Sequence, residues 1–396
     1  MTTIKVDDIT NVAGSGAPNF SDGLKYNGTA LSSINKYQYT SSATEPSNPN
    51  NGALWWDSAN SLPKIYINNA WKTVALSSVD LSTIILHGGD RGLFAGAYPG
   101  QTNAIDYVSI PTTGNAADFG DLLRSSGYMT TASNRTIGMF AGGRTGIQNS
   151  TGFDDIDYIT FATLGNAANA GSFSVTRRAN GQGLYSNGYA YVVGGQITYG
   201  SGMTGATEIE YFTLSTNITS IGDFGDLTIG ASNKLIGGVA QDTSRGVLFN
   251  TNSYTSSGSI NYLSIGGTSG NSASFGDLTV ARVQGLGLSS RTRGVYVGGN
   301  DGTSIGGADT ANMKTMDYVT IQTTGNATDF GDLDQFRDGP SGSSNASRGV
   351  ISGHGGSGSS TNSIEYITID TTGNGVDFGD LVIARNVGAK GMSGAA

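Results

Sequence analysis

Six short segments of the chain alternate apolar and polar residues around a tyrosine: IDYVSI (Tyr107), IDYITF (Tyr158), IEYFTL (Tyr211), INYLSI (Tyr262), MDYVTI (Tyr318) and IEYITI (Tyr366). Alternation with period two predicts strands buried on one face. The tyrosines lie 51, 53, 51, 56 and 48 residues apart, and a Phe follows each after 12 to 15 residues (Phe119, Phe173, Phe224, Phe275, Phe330, Phe378). Four of these Phe sit in DFGDL, one in SFGDL, and the second copy reads GSFSV. Before each Tyr strand runs a glycine-opened apolar stretch, from Gly92, Gly138, Gly188, Gly246, Gly294 and Gly349. A fixed period near 50 residues signals stacked supersecondary units, none of which buries its apolar face alone.

Each unit reads as four strands: a small-residue strand, an apolar strand that often ends in Gly-Gly, the Tyr strand and the Phe strand. This order resembles the kelch repeat over residues 91 to 396, with Phe where kelch units usually carry Trp and an Arg soon after in several copies (Arg177, Arg282, Arg385). The resemblance implies a six-bladed propeller. The first unit starts at its second strand, Gly92, and the chain ends in NVGAKGMSGAA, which matches the small-residue strand of other copies. That segment is expected to complete the first sheet; LSTIILHGGD (81–90) is the alternative source of the missing strand. The expected fold is all-β, a six-bladed kelch-like propeller over 81–396 preceded by a small β module over 1–80.

Composition agrees with many short strands and turns. Glycine supplies 62 of 396 residues, more than twice the usual share of ~7 per cent, and each interior Gly costs a helix about 1 kcal/mol relative to Ala. Seven prolines and no Gly-X-Y period exclude collagen, and 18 Tyr, 14 Phe and 3 Trp provide a core that a disordered chain lacks. A net charge of −9 without basic clusters excludes a phosphate-backbone binder, so no nucleic-acid partner is expected. Cysteine is absent, and neither a signal peptide nor a membrane-spanning stretch is visible.

Residues 1–80 lack the repeat but hold all three tryptophans. LWWD (54–57), KIYIN (64–68) and AWKTV (70–74) read as strands joined by Asn-rich turns. Trp55, Trp56 and Trp71 either fill a small core or form an apolar docking surface, and Trp55 and Trp56 cannot both point inward. GAPNFSDGLKYNGTAL (16–31) and PSNPNNGALWWDSANSLPKIYINNAWKTV (46–74) resemble N-terminal segments of tail-fibre and other virion proteins of bacteriophages, particularly marine cyanophages. The resemblance implies a virion component in which 1–80 attaches and oligomerises, as a homo-oligomer with three copies the first guess, beside other virion proteins.

Residues with chemical potential have structural explanations close at hand. DFG recurs in phase with the fold and without the other kinase motifs, which marks it as structural. The paired Asp of DFGD suit turn capping better than calcium, so no metal or other cofactor is expected. His87 and His354 lack a nucleophile at motif spacing, and the scattered Arg follow the repeat phase, so no enzyme is expected; a carbohydrate-active propeller is the third choice. The stretch between the second and third strands differs in length from copy to copy, whereas TTGNA (112–116, 323–327) and TTGNG (371–375) barely change. Variable loops on a rigid scaffold suit recognition. Tyr98, Tyr199 and Tyr254 in those loops are the candidate ligand-binding residues, for a glycan or protein of a host surface. The expected role is therefore a tail fibre or appendage, with a head, neck or baseplate decoration as the alternative.

Overall fold

The computed structural model describes residues 25–26, 29–30, 39–47, 49, 53–59, 62–67, 70–73, 89–97, 102–145, 152–173, 181–195, 205–228, 234–252, 257–300, 313–353 and 359–395. Among them the chain is all-β, with seven four-stranded sheets, a two-stranded one and no α-helix. It divides into two compact units, Met1–Ser82 and Thr83–Ala396.

In the first unit, Tyr39–Ser42, Leu54–Asp57, Leu62–Ile67 and Ala70–Thr73 form one sheet in that order; the first pair is parallel and the others antiparallel. Strand alternation separates the two adjacent tryptophans. Trp55 is 4% exposed, while Trp56 and Trp71 are half-buried. The Trp55 indole donates to the Ser42 carbonyl at 2.9 Å and meets Trp71 edge-on at 5.4 Å, and Tyr66 meets Trp71 likewise at 5.3 Å. Lys64 covers the Trp55 ring and pairs with the buried Asp57 at 2.7 Å. Trp55 is thus a core residue, Trp71 packs against it, and Trp56 and Trp71 both stay half-buried.

The second unit contains six antiparallel sheets, numbered 1 to 6 by their Tyr strands, each in simple order first-second-third-fourth. The third strands are Ala104–Ser109, Asp155–Thr160, Glu208–Thr213, Ser257–Ser264, Thr315–Thr320 and Thr361–Thr368. Sheets 2 to 6 take their first strands from the chain just ahead: Thr130–Ser133, Gln182–Ser186, Lys234–Gln241, Leu286–Ser289 and Ser341–Ser344. Sheet 1 takes its first strand from the end of the chain, where Lys390–Gly394 pairs with Arg91–Ala95.

Apolar clusters lie between successive sheets. Leu93, Ile105 and Phe119 of sheet 1 pack with Phe140, Ile159 and Phe161 of sheet 2. Corresponding clusters join 2 to 3, 3 to 4, 4 to 5 and 5 to 6. Phe94, Val108 and Ile110 of sheet 1 pack with Val350, Ile364 and Phe378 of sheet 6. Each first strand also touches the first strand of the next sheet, and Ser341–Ser344 touches Lys390–Gly394.

DFGD and the Gly-Asn turn turn out to be two halves of one joint. In sheet 1, Ile105 pairs with Gly120 and Asp106 with Asp118, so Phe119 is the extra residue of a β-bulge and turns inward against Tyr107, ring to ring at 6.2 Å. Gly120 has φ +145°, and a Cβ there would lie 2.4 Å from the Gly165 carbonyl oxygen of sheet 2. The turn seats itself in that gap: Gly165 N–H donates to the Phe119 carbonyl at 2.8 Å, and the Asn166 side-chain oxygen accepts from Asp121 N–H at 3.0 Å. Asn271, Asn326, Asn374 and Asn115 make the same contact to Asp226, Asp277, Asp332 and Asp380.

Buried arginines add a second link. Arg282, Arg337 and Arg385, five residues after the final Asp of their motif, are fully buried and reach Asp317, Glu365 and Asp106 in the third strand of the next sheet at 3.2, 3.0 and 3.2 Å. Each also donates to the glycine carbonyl that ends the neighbouring second strand: Gly298, Gly353 and Gly96. Between sheets 3 and 4 the equivalent positions are Ala231 and Asn261, so cation and anion are both absent. Between sheets 1 and 2 the acid remains without its arginine. Ser126 takes the arginine position with a buried hydroxyl that has no partner, and Asp157 accepts only a 3.3 Å bond from Asn169. Burial pushes the Asp157 carboxyl up, against the opposing pull of Asn169 and Arg124.

This difference makes a prediction. Asp157→Asn should change stability by less than about 0.5 kcal/mol at pH 7, whereas Asp317→Asn, which strands Arg282, should cost about 3–5 kcal/mol. Urea midpoints of the two variants against the parent chain check it.

A further arginine set works at the other end of the sheets. Arg91, Arg245, Arg293 and Arg348 open second strands and lie over Tyr107, Tyr262, Tyr318 and Tyr366 at 5.0, 4.4, 4.2 and 4.2 Å. Each donates to a carbonyl of the next sheet, from Phe161, Ile321, Ile369 and Ile110. The recurrent Tyr is therefore both a core residue and the platform that aims an arginine across a sheet boundary.

Candidate functional site

Register decides which loops share an end of the second unit. The residue that opens each first strand pairs with the residue that closes its second strand: Lys390 with Ala95, Thr130 with Ala141, Gln182 with Val193, Leu286 with Val297, Ser341 with Ser352. The connections from second to third strand leave from that same end, and these are the ones that vary among copies. The constant Gly-Asn turns lie at the opposite end. Tyr98, Tyr199 and Tyr254 fall in the variable connections and lie outside the described residues, as do His87 and His354.

Where the six first strands come together they enclose a cavity of about 140 Å³. Its wall is mostly small and polar, with Lys390 its one charged residue among the described residues: Thr131, Ser133, Gly183, Gly287, Ser343 and Gly391 are typical. Close approach of backbones sets the composition, since a Cβ on Gly287 would lie 2.1 Å from the Val239 carbonyl oxygen and one on Gly391 would lie 2.3 Å from that of Gly342. The innermost strand of each sheet pairs on one side only, and side chains of neighbouring first strands meet several backbone groups of its other edge: Thr131 and Ser133 donate to the Gly391 and Ser393 carbonyls, and the Gln241 amide bonds both the N–H and the C=O of Tyr185. At the variable-loop end lies a mouth lined by Tyr128, Gln182, Gln284, Pro340 and Gly388 among others.

Lys390 lines both the cavity and its mouth and, among the described residues, is the only charged one in either wall. It is half-buried. Burial alone pushes its ammonium down to about 8, with no carboxylate acting on it. The corresponding positions in sheets 2, 3, 5 and 6 are Thr130, Gln182, Leu286 and Ser341. Sequence reading passed over Lys390, treating GAKGMSG as small-residue filler; the signal was there, since Lys390 and Lys234 are the two charges of the six first strands.

Other titratable groups serve the scaffold. Burial pushes Tyr296 up to about 12, and its hydroxyl accepts the Gly285 N–H at 2.9 Å. Burial lowers Arg337 and Arg385, with Glu365 and Asp106 pulling them back. Among the described residues no group of three or more His, Cys, Asp or Glu could hold a metal ion. Trp56 and Trp71 remain the half-buried aromatics of the first unit, with the Trp71 indole nitrogen buried and unpartnered. No family model matches the chain, and no curated protein matches it in sequence.

Proposed function

We propose that the second unit is a six-bladed, kelch-like β-propeller, and that the protein is a phage virion component, a tail fibre or appendage, which contacts the host surface through the variable-loop end. The circuit of apolar clusters and first-strand contacts from sheet 1 through sheet 6 and back to sheet 1 supports the propeller. One observation carries the recognition reading: the large differences in loop length between repeats lie in the connections at the end where the central mouth opens, while each kind of connection at the opposite end differs by at most one residue. A scaffold that holds one end constant and frees the other is the arrangement of a binding module. The virion reading rests on the resemblance of residues 16–31 and 46–74 to phage tail-fibre segments. In it the first unit attaches the protein to other virion proteins, as a homo-oligomer, and the ligand is a glycan or protein of the host surface.

The test uses the full chain. Purified protein should bind intact host cells and compete with the phage for adsorption. Replacing residues 301–312 by Gly-Ser of equal length should weaken competition at least tenfold without changing the far-ultraviolet spectrum. Saturating protein that leaves adsorption untouched would refute recognition and favour a decoration that binds only other virion proteins.

A further inference from the structure

We infer that the mouth of the central cavity is a binding subsite for an anionic group, a carboxylate or a phosphate, held by the Lys390 ammonium. The placement of this ammonium carries the inference. The chain has 30 acidic residues against 21 Lys and Arg, yet the cavity and mouth contain a cation and no acid. An ammonium removed from water without a carboxylate partner is a standing cost. The fold avoids that cost elsewhere: three of its buried guanidinium groups have a carboxylate within 3.2 Å. Lys390 has no ion pair or hydrogen bond among the described residues, and it stands where sheets 2, 3, 5 and 6 carry Thr130, Gln182, Leu286 and Ser341; sheet 4 opens its first strand with Lys234, which is not among the described cavity or mouth residues.

What surrounds the ammonium suits an anion. Amide donors come from Gln182 and Gln284 at the mouth, and hydroxyls from Ser341 and Ser343 inside. Gln182 is already held by its bond to the Ile236 carbonyl at 3.1 Å, which fixes the mouth rather than leaving it to reorganise. The cavity of about 140 Å³ admits the anionic group, not a polymer, so the remainder of a ligand would lie outside it. A single lysine offers a point charge without the fork of an arginine, which suits a carboxylate or a phosphate monoester without selecting between them.

This rests on the recognition reading only for where the anion comes from, a host surface; the subsite itself is tested on the purified full chain. Lysines are methylated with ¹³C-formaldehyde, and the Lys390 signal is assigned by its absence in Lys390→Arg. Sodium acetate and sodium phosphate are then titrated against sodium chloride at constant ionic strength. A saturable shift of the Lys390 signal, a rise of its pKa from about 8 by about one unit and an affinity about fivefold weaker at pH 9 than at pH 7 are expected, because the free ammonium titrates between those values. Acetate and phosphate separate the two anion classes. Lys390→Met should fold with unchanged β spectrum, melt at a higher temperature at pH 7 and lose saturable binding. The same weak, linear shift at Lys390 as at exposed lysines, or undiminished binding by Lys390→Met, would overturn the subsite. Anion binding by a protein that does not recognise cells would instead overturn the recognition reading and leave the subsite standing.

Discussion

Deleting Gly388–Ala396 is expected to abolish cooperative unfolding of the second unit, or to cost more than about 4 kcal/mol, a loss reached only when a core is breached. These residues are the last in the chain but form the innermost strand of sheet 1, paired through Lys390–Gly394 with Arg91–Ala95. Their loss would uncover Leu93 and Phe94, both fully buried, and remove Met392 from the cluster with Phe161. Contacts to both neighbouring sheets go with them. Ser133 Oγ donates to the Ser393 carbonyl at 2.9 Å, Ser393 Oγ donates to Ser344 at 2.6 Å, and Ala395 N–H donates to Arg135 at 2.7 Å. Thermal melts followed by tyrosine fluorescence check the loss. A synthetic peptide of residues 386–396 added in trans should restore the transition, since an exposed strand edge accepts a complementary strand. A truncated chain that melts like the parent would show that sheet 1 does not depend on this strand.

Arg337→Ala should cost about 3–5 kcal/mol. The guanidinium is fully buried and satisfies four groups: the Glu365 carboxylate at 3.0 Å, the Gly353 carbonyl at 2.7 Å, and the Ser363 carbonyl and hydroxyl at 3.2 and 2.9 Å. Alanine would leave the Glu365 carboxylate buried with only the Asp334 and Gln335 N–H donors. Most of the loss is the penalty of stranding that charge, so Arg337→Ala in a Glu365→Gln background should cost roughly half as much. The double-mutant cycle by urea denaturation checks this. Equal costs in the two backgrounds would mean that packing, and not charge, sets the value.

The repeats made the strand pattern of the second unit legible in the sequence: the Tyr segments are third strands, and the Phe of DFGDL lies in the fourth. Alternation likewise separated Trp55 from Trp56. The joints were not legible. DFGD and the Gly-Asn turn each looked like a local turn device, but each is completed by the sheet beside it, a contact that spacing along one chain does not encode. The arginines were visible in phase with the repeat, and their convergence on third-strand acids was not. The dipeptide Arg-Gly at Arg91, Arg245, Arg293 and Arg348 was a signal for the second set that went unread, because its meaning depends on a tyrosine facing it across the sheet. In the first unit the parallel strand Tyr39–Ser42 lacks an alternating apolar pattern and gave no sign of itself.

The repeated joint between DFGD and the Gly-Asn turn has a consequence for how such a protein changes over generations. At five of the six boundaries the joint is sealed by backbone atoms and one asparagine, in a Gly-Asn turn that comes from the end of its sheet opposite the variable connections. Substitutions far from it, with no shared partners, add to its energy without altering it. A loop can then be lengthened, shortened or exchanged wholesale without renegotiating the contact between neighbouring sheets, so change in the loops and stability of the sheets rest on separate residues.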